Sequence, residues 1–242
     1  MNFFHIVVAS TLVSISSLIG VIFITWQKER LHRFLLLLVA LSAGTLLGSV
    51  FLHLLPEALE LLPVDSVLGL TLISFIGFVL MEKVLHWRHC HEDDCDEHPF
   101  GYMNLIGDGV HNFIDGLIIA SAFLTSPMLG WTTTLAIATH EIPQEIGDLG
   151  VLLHAKFSRR KAIFFNLITA LLALVGAVTG YLLAIQVELF ATYLLPIAAG
   201  GFLYIGASDL IPELRQEKSK KLSLYAFMMF LIGIGLLLIW PH

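Results

Sequence analysis

HNFID at residues 111–115 and HEIPQEIGD at residues 140–148 lie inside two apolar runs, each long enough to cross a bilayer. Both stretches carry His and carboxylate side chains at membrane depth, where one Asp or Glu facing lipid costs roughly 3 kcal/mol. We therefore expect these side chains to face a protein interior, water or a cation. Imidazole, carboxylate and carboxamide groups converging from two helices are a ligand set for a divalent transition metal.

The composition is that of a polytopic membrane protein. Of 242 residues, 57% are hydrophobic and 13% are charged, whereas a soluble domain is about 25% charged. No stretch is polar enough to build a separate soluble domain, so we predict one transmembrane transport domain over residues 1–242. We predict an all-α fold with eight transmembrane helices, at 4–26, 34–56, 67–86, 101–124, 130–154, 162–184, 189–212 and 222–240.

The basic residues predict the orientation of these helices. All 13 Lys and Arg residues fall in or beside the first, third, fifth and seventh connections. The positive-inside rule then places those connections in the cytoplasm and both termini outside. The first apolar run is too long for a signal peptide and reads as a retained helix. The compact length and short connections favour a bacterial plasma membrane.

Two segments of the chain resemble each other at an offset of 156 residues. AGTLLGSVFLHLLPE at 43–57 and AGGFLYIGASDLIPE at 199–213 share Ala, Gly, Pro and Glu positions, and His53 corresponds to Asp209. The two segments run in opposite directions through the membrane. This arrangement predicts an inverted repeat, helices 1–3 against helices 6–8, around a central pair of helices 4 and 5. Glu57 is then expected at the outer mouth and Glu213 at the inner mouth.

The fourth predicted helix carries one polar face. Asp108, His111 and Asp115 are spaced at i, i+3 and i+7, so they share that face, and Asn112 lies beside them.

The fifth predicted helix repeats the pattern with His140, Gln144 and Asp148 at i, i+4 and i+8. Pro143 has no amide proton, so the carbonyl of Thr139 loses its helical donor. This predicts a kink and a free carbonyl oxygen that could serve as a further ligand. The neighbouring acidic side chains are Glu141 and Glu145. For Glu145 and Asp148, a ligand role and a supporting role both remain open.

Two imidazoles shift the expected metal away from Mg²⁺ and Ca²⁺ and towards Zn²⁺, Cd²⁺, Fe²⁺ or Mn²⁺. The metal is expected as a transported substrate, and no catalytic cofactor is expected.

HNFIDG, HEIPQEIGD, LHLLPEAL at 52–59 and GGFLYIGASDLIPEL at 200–214 resemble motifs of the ZIP (Zrt/Irt-like) family of metal-ion transporters, in particular its LIV-1 branch and prokaryotic relatives. The resemblance implies import of zinc or similar ions towards the cytoplasm between helices 4 and 5. It implies movement of one helix bundle against another, often in a homodimer. Asn166 stands on helix 6, where some members carry a carboxylate. The ligands that the resemblance implies are His111, Asp115, His140, Glu141 and Gln144, with Asn112 bordering a second position together with Asp115, Glu141 and Gln144.

The connection at 87–100 is rich in His, Cys and acidic residues. We interpret it as an accessory, metal-catching cytoplasmic loop, and a solvated linker is the alternative. Its candidate ligands are His89, Cys90, His91, Cys95 and His98.

Two other function classes compete with a metal-ion carrier. An intramembrane zinc hydrolase needs H-E-x-x-H, but residues 140–144 read H-E-x-x-Q, so the chain is not expected to be an enzyme. A metal-gated channel or receptor remains open. We favour a carrier that imports divalent ions, with bilayer lipid and metal ions as partners and no nucleic acid. The residues expected along the ion path or behind the ligands are His53, Glu57, Asp108, Glu145, Asp148, Asp209 and Glu213.

Overall fold

The computed structural model describes residues 2–16, 18–19, 28–86, 98–186 and 190–239, and all regular structure in these ranges is helical. The predicted all-α fold is therefore confirmed for the described part of the chain. In chain order the elements are α1 (Asn2–Ser16), α2 (Lys28–Ser49), the π-helical segment π1 (Val50–Leu54), α3 (Leu55–Leu61), α4 (Val64–His86), α5 (His98–Thr125), α6 (Pro127–His154), α7 (Arg159–Ala170), α8 (Leu172–Gln186), α9 (Phe190–Tyr204), the π-helical segment π2 (Ile205–Leu210), α10 (Ile211–Arg215) and α11 (Lys220–Leu238).

Five helical stretches in these ranges are long and apolar enough to cross a membrane, which identifies an integral membrane protein. They are Arg30–Leu61, Val64–Met81, Arg159–Gln186, Phe190–Arg215 and Lys220–Leu238. The helices α5 and α6 are not among them, although each has 28 residues and is therefore about 42 Å long. Their polar side chains make them less apolar than the other long helices. The total of eight spans stays a prediction.

The helices pack as two groups. The first bundle contains α1, α5, α6, α7 and α8, and the second bundle contains α2, α4, α9 and α11. The two bundles meet where α2 packs on α6 and where α9 packs on α5. The two helices with the His motifs therefore each contact a helix of the opposite bundle.

Glycines allow the closest helix approaches within each bundle. In the first bundle, a Cβ on Gly176 of α8 would lie 2.0 Å from the carbonyl oxygen of Phe113 in α5. A Cβ on Gly116 of α5 would lie 2.0 Å from the carbonyl oxygen of Ala173. In the second bundle, Gly233 of α11 meets the backbone of α2 in the same way. Small residues at such crossings let membrane helices pack backbone to backbone.

The two π-helical segments occupy equivalent positions in the two similar sequence segments. Each ends at a short α-helix that has Pro at its second residue, Pro56 in α3 and Pro212 in α10. The proline ring clashes with the carbonyl four residues earlier in a regular α-helix, and a wider π turn relieves that clash. The widening is seen where the amide of Leu55 donates to the carbonyl of Val50, five residues back. The inverted repeat itself stays a prediction.

The link between α5 and α6 sets the register of the two His motifs. Ser126 alone connects them, and its Oγ accepts a hydrogen bond of 3.1 Å from the amide of Leu129, which caps α6. Pro127 is the first residue of α6, a position where no amide proton is needed. His111 and His140 stand about 15 residues on either side of Ser126, roughly 22 Å along each helix. Two antiparallel helices joined so tightly bring these residues to one level.

Candidate metal centre

Four side chains from α5 and α6 converge between the two helices. One ligand atom from each of His111, Asp115, His140 and Glu141 lies within 4.8 Å of all the others. The side chains of Asp115, His140 and Glu141 are 1–2% exposed, and that of His111 is 11% exposed. The structure thus brings four of the six predicted ligands together in a buried position.

Five of the six separations between these ligand atoms are close to the edge length of a tetrahedron around a small divalent ion. Nε2 of His111 lies 3.3 Å from Nε2 of His140, 3.4 Å from Oε1 of Glu141 and 3.7 Å from Oδ2 of Asp115. Nε2 of His140 lies 3.3 Å from Oδ2 of Asp115 and 3.6 Å from Oε1 of Glu141. Zinc binds nitrogen and oxygen at about 2.1 Å, so the edge of its tetrahedron is about 3.4 Å.

The backbone of α6 fixes the orientation of the His140 ring. Nδ1 of His140 lies 3.1 Å from the carbonyl oxygen of Ala136. A carbonyl oxygen can only accept, so Nδ1 carries a proton and Nε2 is the nitrogen that faces the cluster. This is the usual way in which a metal-ligating imidazole is held by its second nitrogen.

The two carboxylates of the cluster contribute oxygens that need a positive partner. Oδ2 of Asp115 and Oε1 of Glu141 are buried and accept no hydrogen bond within the described ranges. Two carboxylate oxygens and two imidazole nitrogens therefore face one another in a buried position. Such an arrangement is costly unless a cation or protons bind between them.

The other two predicted ligands lie beside the four. The Asn112 amide donates hydrogen bonds of 2.8 Å to Oδ1 of Asp108 and 3.2 Å to the Asp108 carbonyl oxygen. The oxygen Oδ1 of Asn112 is buried and accepts no hydrogen bond from the described residues. Gln144 lies one turn after His140 on α6 and is half-buried. The Asn112 nitrogen thus bonds Asp108, and the Asn112 oxygen can still accept a hydrogen bond or bind a cation.

Two more acidic side chains of α6 are paired with carboxamides. The Asn166 amide of α7 donates to Oε2 of Glu145, and the Asn104 amide of α5 donates to Oδ1 of Asp148 at 2.9 Å. The second carboxylate oxygen of each pair is buried and accepts no hydrogen bond from the described residues. Each carboxamide therefore supports one oxygen of a buried carboxylate and leaves the other oxygen open.

The residues expected at the two mouths have different environments. His53 is buried, with Nε2 3.1 Å from the carbonyl oxygen of Leu237 in α11. Glu57 is half-buried in α3, and Asp209 and Glu213 are exposed in π2 and α10. The ion-path role of all four residues stays a prediction.

The accessory loop is described only at its end. Residues 87–97 lie outside the described residues, and His98 is the first residue of α5. The predicted metal-binding role of this loop is therefore not tested for His89, Cys90, His91, Cys95 and His98.

The carbonyl of Thr139 has a partner that the sequence did not reveal. The helix α6 continues through Pro143 to His154, and Oγ of Ser42 in α2 donates to the Thr139 carbonyl oxygen at 2.5 Å. The freed carbonyl therefore accepts a hydrogen bond from a hydroxyl of the second bundle. The absence of an amide at Pro143 was the signal that some donor had to exist.

The comparisons with known proteins cover most of the chain. A family profile described as ZIP Zinc transporter matches residues 3–99 and 86–240. The chain is 36% identical over 220 residues to Zinc transporter ZIP13 of Pongo abelii, covering 84% of this chain and 66% of that protein. It is 32% identical over 260 residues to Zinc transporter ZIP13 of Homo sapiens, covering 84% and 70%. It is 40% identical over 139 residues to IAA-alanine resistance protein 1 of Arabidopsis thaliana, covering 57% and 29%.

The chain thus spans about two thirds of the length of its ZIP13 relatives. These relatives come from eukaryotes, so they do not test the predicted bacterial origin.

Proposed function

The chain belongs to the ZIP zinc transporter family, and we propose that it is a carrier that imports Zn²⁺ into the cytoplasm through the centre between α5 and α6. The observation that carries the proposal is the buried group of four ligand atoms within 4.8 Å of one another. Members of this family are transporters and not enzymes, as expected from the incomplete H-E-x-x-H motif.

The donor set supports Zn²⁺ as the favoured ion. Two imidazoles and two carboxylates suit a borderline ion, and the same set accepts Cd²⁺, Fe²⁺ or Mn²⁺ less selectively. In the proposal, His111, Asp115, His140 and Glu141 bind the ion first. Asn112 and Gln144 complete the ligand set as the ion shifts. A ligand shell that can exchange members suits a transporter, which has to release what it binds.

The carboxylates that follow the centre support release towards the cytoplasm. In the proposed orientation α5 begins and α6 ends on the cytoplasmic side. Asp108, Glu145 and Asp148 then all lie between the centre and that side. Each has one oxygen held by a carboxamide and one buried oxygen without a donor in the described residues. We infer that these oxygens contact the departing ion in turn.

The remaining features of the proposal concern the whole transporter. It has eight spans with both termini outside, and an inverted repeat is supported by the matching positions of π1 and π2. Glu57 and His53 serve the outer mouth, and Asp209 and Glu213 serve the inner mouth. The loop at 87–100 receives the ion inside, and two copies of the chain pair as a homodimer in a plasma membrane.

Uptake into proteoliposomes tests the central claim. The parent chain is compared with His140→Ala and Asp115→Ala, using Zn²⁺ outside and an indicator dye inside. The matched control is His32→Ala, because His32 is exposed at the start of α2 and pairs with Glu217 at 3.1 Å. We expect saturable uptake in the parent and the control, and a loss of at least tenfold in both site variants.

Other outcomes would support the alternative functions. Uptake that rises with Zn²⁺ concentration without saturation favours a channel. Tight Zn²⁺ binding by a folded parent without any uptake favours a receptor. Normal uptake in both site variants would show that the ion does not pass through this centre.

A further inference from the structure

Two hydroxyls of α2 contact the residue that precedes the ligand His140. Ser42 Oγ donates to the Thr139 carbonyl oxygen, and Thr45 Oγ1 lies 2.6 Å from Thr139 Oγ1. Ser42 and Thr45 are both 0% exposed. The first contact exists because Pro143 cannot donate to the Thr139 carbonyl, which leaves a buried oxygen in need of a donor.

Contacts with the second bundle hold His140 on two sides. Through Thr139, α2 fixes the backbone immediately before the ligand. On the ring itself, Phe202 of α9 packs with its centroid 5.9 Å from that of the imidazole, at an angle of 67°. All four ligands, His140 included, lie on α5 and α6, and these two contacts link His140 to the second bundle. The position of His140 therefore depends on where the second bundle stands.

The three hydroxyls at this contact can separate without losing all their acceptors. Ser42 Oγ is 2.8 Å from the Leu38 carbonyl oxygen, and Thr45 Oγ1 is 3.0 Å from that of Ser42. Thr139 Oγ1 is 2.9 Å from the Ala136 carbonyl oxygen. If α2 moved away from α6, each hydroxyl would keep an acceptor on its own helix, and only the Thr139 carbonyl would lose its donor. Breaking this contact therefore costs the hydroxyls little free energy, because each keeps a hydrogen bond, whereas the backbone next to His140 loses the donor of its carbonyl.

We propose that Ser42 and Thr45 are positioning residues for the metal ligand His140, and that they make the affinity of the centre depend on the contact between α2 and α6. The inference rests on the proposed function, since it assumes that His140 binds the transported ion. It assigns to α2, which carries none of the four clustered ligands, a direct influence on metal affinity.

Metal binding by purified full-length variants tests this role. The variants are Ser42→Ala and Thr45→Val, which remove the hydroxyls, and Thr45→Ser, which keeps one. Ser49→Ala is the matched control, because Ser49 is a buried α2 residue whose hydroxyl makes no hydrogen bond within the described ranges. The readouts are the Zn²⁺ dissociation constant from competition with a fluorescent chelator, the visible absorption of bound Co²⁺, and KM and kcat for uptake.

We expect Ser42→Ala and Thr45→Val to weaken Zn²⁺ binding roughly 10- to 100-fold, as the loss of a supporting partner of a ligand does. KM should rise more than kcat falls, and the Co²⁺ spectrum should shift. Thr45→Ser and Ser49→Ala should match the parent. In a His140→Ala background, Ser42→Ala should change the remaining affinity less than about twofold, because its effect acts through the missing ligand.

Three results would overturn the inference. One is an unchanged dissociation constant and Co²⁺ spectrum in both hydroxyl-deleted variants, even with a lower melting temperature, since that describes a purely structural contact. Another is a full additional loss of affinity in the His140→Ala background. The third is a failure of the folded parent to bind Zn²⁺, which refutes the proposed function itself. If Ser42→Ala does not fold, the pair Thr45→Val and Thr45→Ser decides the question alone.

Discussion

Replacing Gly176 by Ala should disturb the metal centre although Gly176 touches none of its ligands. The new Cβ would lie 2.0 Å from the carbonyl oxygen of Phe113. Non-bonded carbon and oxygen need a separation above about 3 Å, so α8 and α5 must move apart by about 1 Å. Phe113 stands between His111 and Asp115 on α5, so a shift there changes the position of two ligands together.

The size of that shift sets the expected effect. Metal sites tolerate ligand distances within about 0.2 Å of their preferred values, so a displacement of about 1 Å lies well outside the tolerance. We expect Gly176→Ala to raise the Zn²⁺ dissociation constant at least tenfold. The overpacking itself should lower the free energy of unfolding by about 1–3 kcal/mol.

The measurement combines chelator competition with thermal unfolding in detergent. Gly77→Ala in α4 is the matched control, because a Cβ at that position meets no atom within 4 Å. Gly116→Ala is a second test, because its Cβ would lie 2.0 Å from the carbonyl oxygen of Ala173 and the residue follows Asp115. If both tight variants fold and bind Zn²⁺ as the parent does, the backbone contact between α5 and α8 does not position the ligands, and this reasoning is refuted.

Three further predictions concern other contacts. Asn166→Ala leaves the buried carboxylate of Glu145 without its amide donor, so the free energy of unfolding, measured by thermal unfolding, should fall by about 1–3 kcal/mol. Asn166→Gln keeps an amide and should restore stability, and an unchanged stability of Asn166→Ala would mean that the pair is not needed. The Ser219 backbone amide, together with His32, holds the pKa of the half-buried Glu217 carboxyl below its ordinary value of 4.5, so the melting temperature of the parent should exceed that of Glu217→Gln at pH 7. A group whose pKa is lowered by folding contributes stability above its unfolded pKa and loses that contribution as the pH falls through its folded pKa. The two melting temperatures should therefore converge as the pH falls from 4.5 through the lowered pKa of Glu217, and a constant difference would exclude ionisation as the cause. Pro143→Ala supplies an amide for the Thr139 carbonyl, so Ser42→Ala should cost less stability in that background than in the parent, and an equal cost would contradict the role given to the missing amide.

The central cluster could be predicted from the sequence because its information is local. Asp115 follows His111 by one turn, Glu141 follows His140 directly, and Ser126 and Pro127 mark a tight link between the two helices. Helical spacing and one short connection are enough to bring such residues to one level.

The supporting contacts could not be predicted because their information is not local. Ser42 meets Thr139 across 97 positions of the chain, and the hydroxyl of a serine in an apolar helix gives no sign of its partner. The missing amide of Pro143 predicted a free carbonyl, but not that a neighbouring helix would donate to it. The π-helical turns before Pro56 and Pro212 were also not predicted. Pro143 lies within an α-helix, which shows that a proline alone does not specify a π-helical turn.

The single-residue link at Ser126 has a consequence for how the chain enters the membrane during synthesis. Neither α5 nor α6 is among the helices apolar enough to cross a bilayer by composition, and each carries carboxylates that would cost roughly 3 kcal/mol apiece against lipid. A helix inserted alone would expose these groups until its partner arrived. Because Ser126 leaves no slack between them, α5 and α6 can pass laterally from the insertion machinery as one hairpin with their carboxylates already facing inward. Lengthening this link should therefore impair biogenesis before it impairs metal binding.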